Sequence, residues 1–119
     1  MQLKTEHEDP VARISRYIRE NYANIHLSLN TLSENLYFTP SYICTLFKRK
    51  TGKTINQYIN EVRIEKAKEL LKEDSVKLYE IARSVGFSDG KYFSKVFCKM
   101  VGMKPKKFRE LHQNDKTGG

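Results

Sequence analysis

The sequence predicts an all-α fold of seven helices, arranged as two helix-turn-helix subdomains that a long linker helix joins. Apolar residues recur at helical spacing between recognisable start and stop signals, and no stretch shows the alternation typical of a strand. A short pattern of aromatic residues and glycine also occurs twice. With 119 residues, 39% of them hydrophobic, the chain can bury one modest core or two small cores that share an element.

The first three helices begin at polar capping residues. Asp9, followed by proline, predicts the start of a helix that ends near Tyr22. Ser28 caps a short second helix, and Thr39, again followed by proline, opens a third helix that Gly52 stops. The residues expected on the buried sides are Val11, Ile14, Ile18, Leu29, Leu32, Leu36, Ile43, Leu46 and Phe47.

A longer fourth helix follows. Thr54 with Gln57 three residues later reads as a capping box, and the helix that it opens would be about 26 Å long over its roughly 17 residues. The apolar positions that sustain it are Ile55, Tyr58, Ile59, Val62, Ala67, Leu70 and Leu71.

Three shorter helices complete the chain. The fifth stops at Gly86, the sixth is capped by Ser88 or Asp89 and stops at Gly102, and the seventh opens at Pro105. Their expected core residues are Leu78, Ile81, Val85, Tyr92, Phe93, Val96, Phe97, Phe108 and Leu111. The predicted organisation is a linker or disordered leader at 1–9, a first helix-turn-helix subdomain at 10–53, a linker helix at 54–73, a second subdomain at 74–112 and a disordered tail at 113–119.

An internal repeat defines the two subdomains. Two tyrosine-phenylalanine-glycine sets share the same spacing at an offset of 50 residues, and they are Tyr42, Phe47, Gly52 and Tyr92, Phe97, Gly102. We assign the four aromatic residues to the core, because such residues at helical spacing beside other apolar ones are usually buried. Each copy reads as short helix, tight turn, longer helix, which is a helix-turn-helix unit.

The positive charge is concentrated in two segments. The net charge is +8, and residues 35–60 and 91–109 contain basic residues but no acid, so the rest of the chain carries a net negative charge. Such concentration favours a polyanion as partner, double-stranded DNA in particular. The acid-free segments coincide with the second helix of each repeat.

That second helix is the one that enters the DNA major groove in helix-turn-helix proteins. Burying its apolar side turns the other side outward, and the candidates for base contact there are Ser41, Cys44, Thr45, Lys91, Ser94 and Lys95. Residues that flank these faces suit phosphate contact, namely Thr39, Lys48, Arg49, Lys50, Lys53, Ser88, Lys99, Lys104, Lys106 and Lys107. Lysines can donate to guanine, whereas short side chains read by close approach, so the second unit should discriminate bases better.

The residues resemble the AraC/XylS-type transcription activators over about Val11 to Leu111. The motif reads Ile81-Ala82-x-x-x-Gly86-Phe87-Ser88-Asp89, then Tyr92-Phe93-Ser94-Lys95-x-Phe97, followed by Gly102, Pro105 and Arg109. Cys98 stands where that family more usually has a basic residue.

The resemblance implies that both recognition helices enter successive major grooves on one DNA face and that the chain is a transcription regulator, an activator. It further implies RNA polymerase as a partner, and a sensor or receiver domain on a longer chain, for instance a two-component response regulator. Because the sequence has no membrane-spanning run, we also expect a cytoplasmic location. A stand-alone short regulator remains open at this point.

Other classes of function find little support. The sequence predicts no catalytic residue, no metal and no cofactor, since His7, His26 and His112 are scattered and the two cysteines have no ligand spacing. No apolar run reaches the roughly 20 residues that span a membrane. The alternative is a helical protein-protein interaction module, whose exposed apolar stripe could only be Val11, Ile14, Tyr17 and Ile18.

Overall fold

The computed structural model describes residues 8–73 and 75–118, with the backbone alone for residues 113–118. This part of the chain holds seven helices and no strand, which confirms the predicted all-α fold. The helices are α1 Pro10–Asn21, α2 Leu29–Leu36, α3 Pro40–Thr51, α4 Ile55–Leu71, α5 Leu78–Ser84, α6 Gly90–Val101 and α7 Pro105–Gly118.

The predicted caps form. The Asp9 carboxylate accepts from the Ala12 amide at 3.2 Å, and Thr39 Oγ1 accepts from the Tyr42 amide at 3.1 Å. Thr54 and Gln57 make the reciprocal capping box, with distances of 3.0 and 2.8 Å. Each cap satisfies amides that the first helical turn leaves without a partner.

Three helices, α2, α3 and α6, end on left-handed backbone. Gly52 ends α3 with φ 78° and Gly102 ends α6 with φ 92°, while Gly86 lies in the turn before α6 with φ 107°. Glycine has no Cβ to clash in this region. At the matching turn of the first unit, Tyr37 adopts φ 60°, and its amide donates to the Ser33 carbonyl at 3.1 Å.

The chain divides into two compact units. In the described residues, the first unit comprises the chain up to Tyr22 together with His26–Ile59. Its core includes Ile14 and Ile18 of α1, with no exposed surface, packed with α2 and α3. The stripe that a protein-interaction module would need is therefore largely buried within this unit.

The second unit comprises Ala23–Ile25 and the described chain from Asn60 onward. Phe87, Phe93, Phe97 and Phe108 form a chain of ring contacts with centroids 5.3 to 5.8 Å apart. The boundary between the units falls inside α4, so most of the predicted linker helix belongs to the second unit.

The structure corrects the predicted core at the tyrosines of the repeat. Tyr42 and Tyr92 were assigned to the core but are 43% and 50% exposed. Each ring contacts a phenylalanine ring and stays about half exposed, since an amphipathic tyrosine can pack its ring against apolar neighbours and keep its polar end accessible. Leu111 is likewise exposed, at 40%.

The structure describes the two predicted chain ends only in part. Residues 1–7 of the predicted leader lie outside the described residues, and of the predicted tail at 113–119 only the backbone of 113–118 is described, where α7 continues to Gly118.

Candidate nucleic-acid interface

The exposed face of α3 carries short side chains. Ser41, Cys44 and Thr45 are exposed, three and four residues apart, so that they share one side of the helix. The opposite side is buried through Ile43, Leu46 and Phe47. The three predicted base-contact residues of the first unit therefore lie together on one accessible surface.

The two ends of α3 both suit a polyanion. Its N-cap is the neutral Thr39, its first turn holds no acidic residue, and a positive helix end without a nearby negative side chain attracts phosphate. Lys48, Arg49 and Lys50 occupy the last turn and are exposed, although the Lys48 ammonium already donates to the Gly52 carbonyl at 3.1 Å.

The exposed face of α6 carries lysines. Lys91 and Lys95 are exposed and Ser94 between them is half-buried, while Phe93, Val96 and Phe97 face the core. Across the described part of the chain, no ion pair engages Lys91, Lys95 or Lys99. Their ammonium groups are thus available to guanine or phosphate oxygens.

The N-terminus of α6 differs from that of α3. Asp89, rather than Ser88, is the N-cap, and its carboxylate accepts from the Lys91 amide at 3.0 Å. This negative charge offsets the positive end of the helix dipole, so this helix end attracts a phosphate less strongly than the N-terminus of α3 does. Ser88, a predicted phosphate contact, is exposed beside that carboxylate.

The remaining predicted phosphate contacts lie on accessible surface. Lys99, Lys104, Lys106 and Lys107 are exposed, and Lys53 is half-buried. Arg109 belongs to the same basic segment, but its guanidinium makes hydrogen bonds within the protein. It donates to the carbonyls of Leu71 at 2.9 Å and Glu73 at 2.7 Å.

Sequence reasoning missed a stack of three side chains in the first unit. The Arg13 guanidinium carbon lies 4.9 Å from the centre of the Phe38 ring, and that ring lies 5.1 Å from the ring of Tyr42. We call Arg13, Phe38 and Tyr42 the first stack. It joins α1 to the first turn of α3.

The second unit repeats this arrangement. The Arg63 guanidinium carbon lies 5.6 Å from the Phe87 ring centre, and that ring lies 5.9 Å from the ring of Tyr92. We call Arg63, Phe87 and Tyr92 the second stack. Arg63 is 8% exposed and donates to the Asn24 carbonyl at 2.9 Å. Burial lowers the pKa of its guanidinium, and the nearby Tyr92 acts in the opposite direction.

A signal for the stacks was present in the sequence. Arg13-Ile14 recurs as Arg63-Ile64 at an offset of 50 residues, the offset of the aromatic repeat. Both isoleucines are buried. The repeated unit is therefore three helices long, with α1 and α4 as its first members.

Other kinds of site find no counterpart here. Over the described residues, no group of three His, Cys, Asp or Glu side chains could hold a metal ion. Likewise, no helix in that part of the chain combines the length and the apolar character that a membrane span requires.

Comparisons with known proteins agree with this geometry. A family model described as a helix-turn-helix domain matches residues 32–111. The chain is 38% identical to the uncharacterized transcriptional regulatory protein YesN of Bacillus subtilis over 111 residues, which is 91% of this chain and 30% of that protein. It is 32% identical to the arabinose operon regulatory protein of Salmonella typhimurium over 94 residues, or 79% of this chain and 34% of that protein.

A solved structure gives the same result. The C-terminal domain of AraT, a response regulator from Geobacillus stearothermophilus, aligns with a TM-score of 0.83 at 31% identity and with 88% of each chain covered. The chain spans about a third of the length of the two curated relatives.

Proposed function

Because the chain belongs to the AraC/XylS-type helix-turn-helix family, we propose that α3 and α6 enter successive major grooves on one face of duplex DNA. This family consists of DNA-binding domains of transcription regulators and not of enzymes. The chain is accordingly a DNA-binding regulatory domain. The proposal concerns which residues meet the DNA and how.

The observation that supports the proposal is the pair of matching exposed faces. Each is the second helix of a helix-turn-helix, each buries its apolar side, and each presents its polar side in a segment without acid. Attraction to the phosphate backbone supplies affinity for any duplex, whereas side chains that reach base edges supply specificity.

The helices α3 and α6 contribute differently to affinity and specificity. Lys91 and Lys95 donate to guanine O6 and N7, so α6 discriminates bases directly. Ser41 and Thr45 on α3 act by close fit, and the neutral N-terminus of α3 binds a phosphate.

The domain acts within a larger regulator. It spans about a third of its curated relatives, and AraT is a response regulator, which supports a sensor or receiver domain on the full-length chain. We further propose that the regulator is a cytoplasmic activator that contacts RNA polymerase, as the family resemblance implies. Transcription from a promoter with the bound site should then rise when the full-length regulator is present, and a fall would contradict activation.

The DNA-binding test is a titration of fluorescein-labelled duplexes at several salt concentrations. Duplexes recovered from a random pool should bind more tightly than unselected ones, and affinity should fall steeply as salt rises. Affinity independent of salt, or no binding to any duplex, would contradict the proposal.

A substitution separates base contact from phosphate contact. Lys95→Ala should relax the preference at one base pair by about 1–3 kcal/mol, because a bidentate contact is lost. The matched control is Lys99→Ala one turn later, which should weaken binding to all duplexes alike. If neutralising Lys91, Lys95 and Lys99 together leaves a complex unchanged, the partner is a protein rather than DNA.

A further inference from the structure

The first and second stacks end at a tyrosine on the first turn of a recognition helix. Tyr42 and Tyr92 are the third residues of α3 and α6, and they match at the repeat offset of 50. In each stack the guanidinium lies over the phenylalanine ring, and the tyrosine ring contacts that same phenylalanine at a tilted angle. This packing holds the tyrosine ring in one position before any partner binds. Less conformational entropy is then lost when the tyrosine contacts that partner.

Each anchored ring presents an available hydroxyl. In the described residues, the Tyr42 hydroxyl makes no hydrogen bond, and the Tyr92 hydroxyl accepts from the Asn60 amide nitrogen at 3.4 Å. A phenolic oxygen that accepts still has its own proton to donate. Both tyrosines can therefore donate one hydrogen bond outward.

The tyrosines lie at the edge of the DNA-facing surface. Seven residues, or two helical turns, separate Tyr42 from Arg49 and Tyr92 from Lys99, so each pair shares one side of its helix. Arg49 and Lys99 are exposed. Hydroxyl and cationic side chains both contact phosphates, so a hydroxyl and a cation in line along the flank of a recognition helix suit the DNA backbone at a groove edge.

We propose that Tyr42 and Tyr92 are DNA-backbone contacts, each donating its hydroxyl proton to a phosphate oxygen at the edge of the groove. Arg13 and Arg63 are positioning residues that hold the phenylalanine against which each tyrosine packs. This inference rests on the proposed function, because it places the tyrosines on the flanks of the two recognition helices. It assigns a role to residues that sequence reasoning placed in the core.

The test measures the affinity of Tyr42→Phe, Tyr92→Phe and the double variant for a labelled duplex recovered from the random pool and for an unselected duplex. Each single change should weaken binding to both duplexes by about 10- to 100-fold, the range of one hydrogen bond from a neutral donor to a charged acceptor. The slope of log affinity against log salt should not change, because a neutral donor releases no counterion. The control is Tyr79→Phe, which removes the hydroxyl of a 61% exposed tyrosine on α5.

The outcomes are distinct. If the tyrosine variants bind like Tyr79→Phe, the rings only pack and the proposal is overturned. A loss confined to the selected duplex would also overturn it, since that indicates base contact. If the unsubstituted chain binds no duplex at all, the proposed function fails instead.

A double-mutant cycle tests the positioning role. Arg13→Met should lower affinity in the unsubstituted background but not in Tyr42→Phe, because the arginine acts through the hydroxyl that is already gone. Equal losses in both backgrounds would contradict positioning. Arg13 is suited to this test because its guanidinium is only partly buried, so the variant should remain folded.

Discussion

At the scale of single residues, Tyr37 holds a backbone conformation that its own side chain disfavours. Its φ of 60° is left-handed, and its side chain is 91% exposed, so burial offsets little of the strain. The equivalent turn of the second unit has Gly86 at φ 107°. A non-glycine residue in this region costs about 1–2 kcal/mol.

Tyr37→Gly should therefore stabilise the chain by about 0.5–1 kcal/mol, once the greater freedom of glycine in the unfolded chain is subtracted. Urea unfolding measures the change. Gly52→Ala is the opposite case, because a Cβ there meets no atom within 4 Å and only the backbone at φ 78° is strained. Gly52→Ala should destabilise the chain by about 1 kcal/mol. A loss of stability in Tyr37→Gly would contradict the backbone strain assigned to Tyr37.

Arg63 shows the limit of residue-type reasoning. An arginine is usually exposed, yet this one is nearly buried and donates to the Asn24 carbonyl. Whether a basic residue faces water or the core of a three-helix unit depends on contacts distant in sequence. The half-exposed Tyr42 and Tyr92 escaped sequence reasoning for the same reason.

Arg63→Met keeps the volume of the side chain but removes its donor, which leaves the Asn24 carbonyl without this partner. We expect a loss of about 1–3 kcal/mol in the free energy of unfolding, measured by urea. Arg83→Met, at an exposed position of α5, should change it by less than about 0.5 kcal/mol. Equal stability of the two variants would contradict the role assigned to Arg63.

At the scale of helices, the sequence was most informative. Capping at Asp9, Thr39 and Thr54 was predicted and formed, because a cap depends on residues within three positions of each other. The spacing of the apolar residues also predicted the exposure of Ser41, Cys44 and Thr45 on α3 and of Lys91 and Lys95 on α6. It did not predict that Ser94 is half-buried or that Tyr42 and Tyr92 are exposed. The choice between Ser88 and Asp89 as cap stayed open until the structure showed the Asp89 carboxylate at the Lys91 amide.

The charge of the Asp89 carboxylate should affect both the stability of α6 and its affinity for DNA. Asp89→Asn retains a capping oxygen but removes the negative charge, so it should cost only about 0.3–1 kcal/mol of stability. Affinity for any duplex should rise about 2- to 5-fold as repulsion of the backbone falls. Glu20→Gln removes an exposed acid from α1 and controls for net charge, and an equal gain from it would show that the position of Asp89 is irrelevant.

At the scale of the molecule, the internal repeat is visible in the sequence, but it is longer than the sequence prediction made it. The offset of the aromatic residues identified two helix-turn-helix units, but the repeat extends to the first helix of each unit through Arg13 and Arg63. The predicted linker helix is divided between the compact units at Ile59, since a helix that connects two cores can pack on both. Apolar spacing alone does not reveal which core each turn joins.

In the proposed binding mode, one chain reads two successive grooves on one DNA face. The most direct test compares a selected duplex with a version that carries five additional base pairs between the two half-sites, which rotates one groove by about half a turn. Affinity should fall by about 100-fold or more, toward that of a duplex with one half-site scrambled, because only one recognition helix can then engage. Unchanged affinity after the insertion would contradict binding by both helices.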